Sequence, residues 1–272
     1  VVSKAKHKDT MVDLKAGFDS GNRWGIKGVE DLGNGYSVGF ILEQGFTADD
    51  GNAANANYTT SSGFTRESFM YVTGNFGKLG FGRTGSLSSG AQSNHILTGW
   101  ALGTGLGLSS WTSEIGTSYG RLNNTISYAT PSFSGLTIHA MYSNGIGEDT
   151  NKWSENTHYY GIGAKYQANA IKSSLIFEAV DNKGGEKNLV GNKVHGDKAY
   201  TVNFGFEYNL GSFTPMFAYQ WANQDDGKKT HMFGLSAKVP VAGGDVLAGA
   251  RYLFGKDEAI TTGDDNNVKD KR

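Results

Sequence analysis

The chain has 272 residues, with 25 basic and 26 acidic side chains, a net charge of −1 and no cysteine. So balanced a charge excludes a surface that binds nucleic acid through bulk basicity, and the absence of thiols excludes a disulfide framework or a thiolate metal site. Glycine supplies 40 residues and aromatics 12%, against only 3 prolines; this excludes a disordered glycine-rich chain and suits many strands joined by tight turns.

No apolar run reaches the roughly 18 residues that a membrane helix needs, and no signal segment is visible at Val1, so the chain reads as mature or trimmed. In chain order the main pattern is alternation with period two, the mark of a strand with two unlike faces. Trp24 and Ile26 oppose Arg23 and Lys27; Tyr36, Val38, Phe40 and Leu42 oppose Ser37, Gly39, Ile41 and Glu43. Phe69 and Tyr71 are read against Arg66, Ser68 and Met70, with Leu79 and Phe81 following on the apolar side. Ile126 and Tyr128 oppose Thr125 and Ser127, and Leu136, Ile138, Ala140 and Tyr142 oppose Thr137, His139 and Met141. Tyr160 and Ile162 oppose Tyr159 and, further on, Lys165 and Gln167; Leu175 and Phe177 oppose Ser174, Ile176 and Glu178. The clearest case is Tyr200–Tyr208, where Tyr200, Val202, Phe204, Phe206 and Tyr208 alternate with Thr201, Asn203, Gly205 and Glu207. Three more strands follow at 213–221, 232–239 and 246–254, the last carrying Arg251 on its polar side.

The connections alternate in length. Short ones fall at 32–35, 75–77, 131–135, 169–170, 209–212 and 240–244, and long ones at 47–64, 85–120, 144–157, 181–198 and 223–229. A meander with tight turns at one end and long loops at the other is the pattern of an outer-membrane barrel. About twelve strands whose polar faces carry Arg, Lys and Glu cannot close around a dry core, because buried unpaired charge is costly. The consistent solution puts the polar faces in a wet lumen and the aromatic faces against lipid.

Several segments carry a family resemblance: RWGIKGVEDLGNG at 23–35, ILEQGF at 41–46, FTRESFMYVTGNFGKLGFGRTG at 64–85 and GRLNNTISYATPSFSGLTIHAMYS at 120–143. They resemble the general porins of Gram-negative outer membranes; beyond residue 143 the likeness is mainly one of pattern. The resemblance implies an all-β fold, a transmembrane antiparallel up-and-down barrel of 16 strands when complete, with about 12 in this chain, and a homotrimer in outer-membrane lipid. It implies that residues 1–272 form a single barrel domain, trimmed at both ends, with Val1 and Val2 ending a first strand and the polar tail at 255–272 forming a loop. It also implies that the long connection 85–120 folds into the lumen as a constriction. The apolar, glycine-rich stretch HILTGWALGTGLGL at 95–108 fits that role, since water-exposed loops are rarely so apolar.

The resemblance places a ladder of arginines on the wall facing this loop. Arg23, Arg66 and Arg121 stand at matching positions and face inward by parity, with Lys27 one rung below Arg23. Arg83 also matches, but its parity is outward like that of Phe81, which suggests a bulge or a subunit contact. Glu43 faces inward beside the arginines, and Glu114 is the single acid between Arg83 and Arg121, fewer than the resemblance implies for a constriction. Taken singly, each of these charges does no more than solvate a lumen. Trp100, with Trp111 and Tyr119, has the shape to stack on sugar rings.

The six histidines show no metal-ligand spacing, the GxGxG at 103–107 lacks the strand, helix and acid of a nucleotide site, and no nucleophile elbow is present. The expectation is therefore a passive diffusion channel for small hydrophilic solutes and ions, not an enzyme, without cofactor, metal or nucleic-acid partner. Inward bases outnumber inward acids, which predicts a weak anion preference. The alternatives are a sugar-type, solute-selective pore, or a plugged barrel acting as adhesin or receptor.

Overall fold

The computed structural model describes residues 2–4, 10–12, 21–48, 51–52, 63–90, 92–102, 120–146, 152–182, 198–224, 228–256 and 267–271. Two short strands, β1 (Val2–Lys4) and β2 (Thr10–Val12), pair only with each other. Twelve longer strands follow: β3 (Arg23–Gly33), β4 (Tyr36–Gly45), β5 (Glu67–Gly74), β6 (Gly77–Gly85), β7 (Arg121–Ala129), β8 (Leu136–Asn144), β9 (His158–Ala168), β10 (Ile171–Asp181), β11 (Lys198–Tyr208), β12 (Thr214–Gln224), β13 (Lys228–Val241) and β14 (Gly244–Lys256). A five-residue β15 (Asn267–Lys271) pairs with β14. Each strand of this sheet is hydrogen-bonded antiparallel to its chain neighbours, so the order from β3 to β15 is strictly sequential. Among the described residues no pairing joins β3 to β15.

The twelve expected strands are therefore present as an all-β meander. Two expectations need correction. Part of the polar tail is the strand β15, not one uninterrupted loop, and the connection expected over 223–229 shrinks to 225–227 because β12 and β13 run further than alternation alone suggested.

The short turns hold because residues tolerant of positive φ sit where the chain reverses. Asn34, between Gly33 and Gly35, has φ 54°, and the Ser134–Gly135 pair closes the hairpin between Phe133 and Leu136.

The ladder register names the two faces across the whole sheet, since directly paired residues project to the same side. One row runs Gly39, Tyr71, Gly80, Ser127, Met141, Gly161, Glu178, Thr201, Ala222, Thr230, Gly255. The adjacent row on the other face runs Phe40, Met70, Phe81, Ile126, Tyr142, Tyr160, Ala179, Tyr200 and then turns polar at Asn223, Lys229 and Lys256. The first row is small, polar or buried; the second is largely aromatic and exposed over eight strands, as lipid requires. Aromatic clusters gather towards the strand ends, with Tyr36 by Phe76 at a short turn and Tyr142, Trp153, His158 and Tyr160 beside a long connection.

In β5 the observed face is the reverse of the expected one. Phe69 is 2% exposed and Met70 53%, and Phe69 and Tyr71 pair with Ile41 and Gly39 on the inner face. The alternation rule sends aromatics to lipid, but here they lie on glycines: a Cβ on Gly39 would strike the Tyr71 ring, and one on Gly80 the Phe69 ring. The ammonium of Lys78 then stands 4.4 Å from the Tyr71 ring centroid and 5.6 Å from that of Phe69.

Candidate functional site

Residues 86–90 and 92–102 follow β6 and lie along the inner face of the sheet. They meet β9 and β10 at Leu87 and Ser88, touch β5 at Ser93 and end against β14 at Leu102. Two apolar patches receive them. Leu87, Ile96 and Leu97 pack with Leu122, Met141, Tyr159, Ile176 and Val180; Leu97 and Trp100 pack on Ala218, Ala222, Met232 and Leu253. Burying a side chain of this size is worth about 1.5–3 kcal/mol each.

Three wall carboxylates hold the segment in the same manner, each taking a backbone N–H and a hydroxyl from it. Glu178 accepts the Ser88 N–H (3.1 Å) and hydroxyl (2.5 Å). Glu67 accepts the Ser93 N–H (3.0 Å) and its hydroxyl. Glu207 accepts the Thr98 hydroxyl and the Gly99 N–H (3.1 Å). Further bonds run from Asn94 Nδ2 to the Ser127 hydroxyl (3.2 Å), from the Thr98 N–H to Ser174 (3.2 Å) and from the Ala101 N–H to Ser236 (3.0 Å). Each such hydrogen bond contributes about 0.5–1.5 kcal/mol, rising to about 1.5–3 kcal/mol where the carboxylate is charged.

Close approach depends on glycine in the wall. A Cβ on Gly163 would meet the tip of Ile96, and one on Gly234 or Gly249 the Trp100 ring. Gly99 itself has φ 89° and lies over the backbone at Gly205, Phe206 and Phe217. Trp100 is thus packed into the wall formed by β12, β13 and β14, and its indole N–H has no partner.

The charged residues singled out in the sequence gather near the start of this segment. The Arg66 Nε donates to Glu43 Oε1 at 2.6 Å, and the Arg23 Nε stands 4.0 Å from the other Glu43 oxygen. Side-chain exposure falls from 41% at Arg23 to 13% at Arg66. Lys27 pairs across to Ile41, on the same face as Arg23 and towards the short-turn end, and is exposed.

Arg121 is half-buried, with Arg66, Arg83, Glu43 and Glu67 as its charged neighbours. Parity alone does not decide its side. Leu122 and Thr125 are both buried, and the residue between them with positive φ, Asn124 at 52°, adds an extra step to the alternation. Arg83 lies in the register shift between Gly82 and Thr84 and donates to the Thr65 carbonyl (2.7 Å) and to Asn123. Glu114, Trp111 and Tyr119 lie outside the described residues.

Glu67 and Lys78 were not singled out from the sequence. Once Phe69 faces inward, Glu67 does too. It is 4% exposed and also accepts from the Thr84 hydroxyl at 2.8 Å. The usable signal was in the glycines, since Gly39 and Gly80 leave room on the inner face that only the β5 rings fill. Among the described residues no group of three or more His, Cys, Asp or Glu could hold a metal ion.

A family model described as Gram-negative porin matches residues 2–270. The chain belongs to the Gram-negative porin family. This porin is 27% identical over 247 residues to outer membrane porin protein 32 of Delftia acidovorans, covering 89% of the chain and 67% of that relative. It is 30% identical over 145 residues to an outer membrane porin protein of Bordetella pertussis, covering 52% of the chain and 35% of that relative. Among solved structures it is similar to the anion-selective porin from Comamonas acidovorans, with a TM-score of 0.59, 26% identity, and coverage of 89% of this chain and 70% of that one. This porin is accordingly a passive channel of a Gram-negative outer membrane, and its relatives are channels, not enzymes.

Proposed function

We propose that the channel prefers anions, that the segment 85–120 is its constriction, and that Arg23, Lys27, Arg66, Arg121 and Glu43 line the passage, with Trp100 on the loop side and Glu114 in the same connection. One observation carries the reading. The inward acids Glu67, Glu178 and Glu207 are held by N–H and hydroxyl donors of the loop, while the guanidinium groups of Arg66, Arg83 and Arg121 are neighbours and Arg23 stands 4.0 Å from the Glu43 carboxylate that Arg66 binds. The positive field is therefore the one a solute meets. In water a pair of charges 4 Å apart interacts by about 1 kcal/mol, and salt screens it over roughly 8 Å, so selection is a few-fold and fades as salt rises. The anion-selective Comamonas relative supports this direction.

The unit we propose is a homotrimer that carries out no chemistry. A barrel has no free edge, so subunits meet through outward side chains, here Trp24, Ile26, Phe40 and Phe81. Phe69 and Tyr71 are left out of that contact because they face inward. The deciding measurement is the reversal potential of the reconstituted channel in a KCl gradient. An anion-side potential at low salt is expected, and a cation-side potential overturns the reading.

A further inference from the structure

Below the loop, towards the short turns, is a second basic cluster separate from the arginines. We infer that Lys78, His139, Lys165 and His95 form a binding station for a small oxyanion, a phosphate or a carboxylate, on the periplasmic side of the constriction. This rests on the anion-channel reading above.

The register builds the station. An inner row runs Ser37, Thr73, Lys78, Ala129, His139, Gly163. Lys78 and His139 therefore stand two strands apart on one face, with only the methyl group of Ala129 between them. Lys165 pairs with Thr137, one inner row nearer the turns and on the strand next to His139. Lys78 and Lys165 are the charged groups facing His139. His95 comes from the loop above, with Lys165 and Glu67 as its charged neighbours, and its Nδ1 is buried without a partner.

A cleft between Lys78, Asn94, Ser127, Ala129 and His139 has room for about one water-sized group, which is one oxygen of an oxyanion. Among the described residues no hydrogen bond or ion pair occupies Lys78, His139 or Lys165, and the rings of Phe69 and Tyr71 hold the Lys78 ammonium in place. Glu67, the acid facing Lys78 and His95, is already bound by Thr84 and Ser93. The ammonium groups of Lys78 and Lys165, with no carboxylate paired to them among the described residues, favour an anion that supplies the counter-charge, and the imidazoles can add N–H donors. Two or three donors converging from wall and loop suit a tetrahedral or planar oxyanion better than spherical chloride, which has no separate oxygens to place.

The test uses the intact channel in a planar bilayer bathed in KCl, with inorganic phosphate added on the side of the short turns, and acetate in a parallel series. Saturable block by either anion is expected, with a half-blocking concentration that rises several-fold in Lys165→Gln and again in His95→Gln. Both variants should keep an anion-side reversal potential, because the arginines are untouched. Block stronger with acetate assigns the station to carboxylates, and block stronger with phosphate assigns it to phosphates. A current that falls without saturation, or half-block unchanged in both variants, overturns the station while leaving the anion channel standing. Cation preference in the wild type removes the channel reading and this site together.

Discussion

The carbonyl of Thr98 occupies the space that a Cβ on Gly205 would fill. Loop backbone and strand backbone are in direct contact there, and no residue that carries a Cβ leaves the loop where it lies. Gly205→Val should lift the segment off β11 at a cost of about 1–3 kcal/mol for forced overpacking. Single-channel conductance is expected to change and to become noisier while the barrel still forms. Unaltered, quiet conductance would mean that the contact does not set the passage.

The carboxylate clamps make a second prediction. Glu207→Ala removes the acceptor of the Thr98 hydroxyl and the Gly99 N–H, leaving two donors unsatisfied at about 1–3 kcal/mol each. Proteolysis within 95–102 of the folded, detergent-solubilised protein should speed up severalfold. Glu207→Gln keeps an acceptor and should fall between the two. Equal cleavage in all three proteins would show that the clamp is dispensable.

Charge reversal among the arginines is the third. Arg66→Glu places a carboxylate beside Glu43, where a 2.6 Å ion pair now stands, and Arg121→Glu alters the same neighbourhood. Each should shift the reversal potential towards cations, most clearly at low salt. If Arg121→Glu leaves the potential unmoved, its guanidinium is outside the passage.

Acid should loosen the loop. Burial first, then the nearby Lys165, hold His95 below its ordinary value, with Glu67 pulling the other way. A depressed histidine stabilises the docked loop fully above its free value near 6.5 and loses that contribution as pH falls through it. Without an oxyanion present, current fluctuations should grow as pH falls below about 6.5, and His95→Gln should flatten the trend. Growth persisting unchanged in His95→Gln would assign the effect to another group.

Assembly is tested on the outer face. Trp24→Asp and Phe40→Asp put charges on side chains that are 53% and 40% exposed in the single chain. Gentle detergent extraction should then yield monomers where the wild type migrates as a trimer. A wild-type monomer would refute the trimer outright.

Most of the architecture was legible because the side-chain period of a strand is two and lipid demands apolar groups on one face. From β8 onward, parity assigned the faces correctly, down to Thr201, Asn203 and Glu207. It failed where one face holds aromatics for a reason other than lipid. Phe69 and Tyr71 fill the space over Gly39 and Gly80, information that lies on neighbouring strands and not in the strand itself. It was also insufficient where the backbone inserts a residue, as at Asn124, since a single added residue reverses every later assignment. The loop's apolar character was visible in the sequence, but the three glutamates that hold it were not. A buried clamp and a pore-lining charge look alike until the partner hydroxyls of Ser88, Ser93 and Thr98 are in view.

The row from Gly39 to Gly255 gives permeability its own address in the gene. Codons for one set of alternating positions answer to the bilayer, and those for the other set to whatever passes through. Selection can therefore retune the aperture by a methyl group at a time, at inward positions such as Ala129, without disturbing the residues that keep the protein in its membrane.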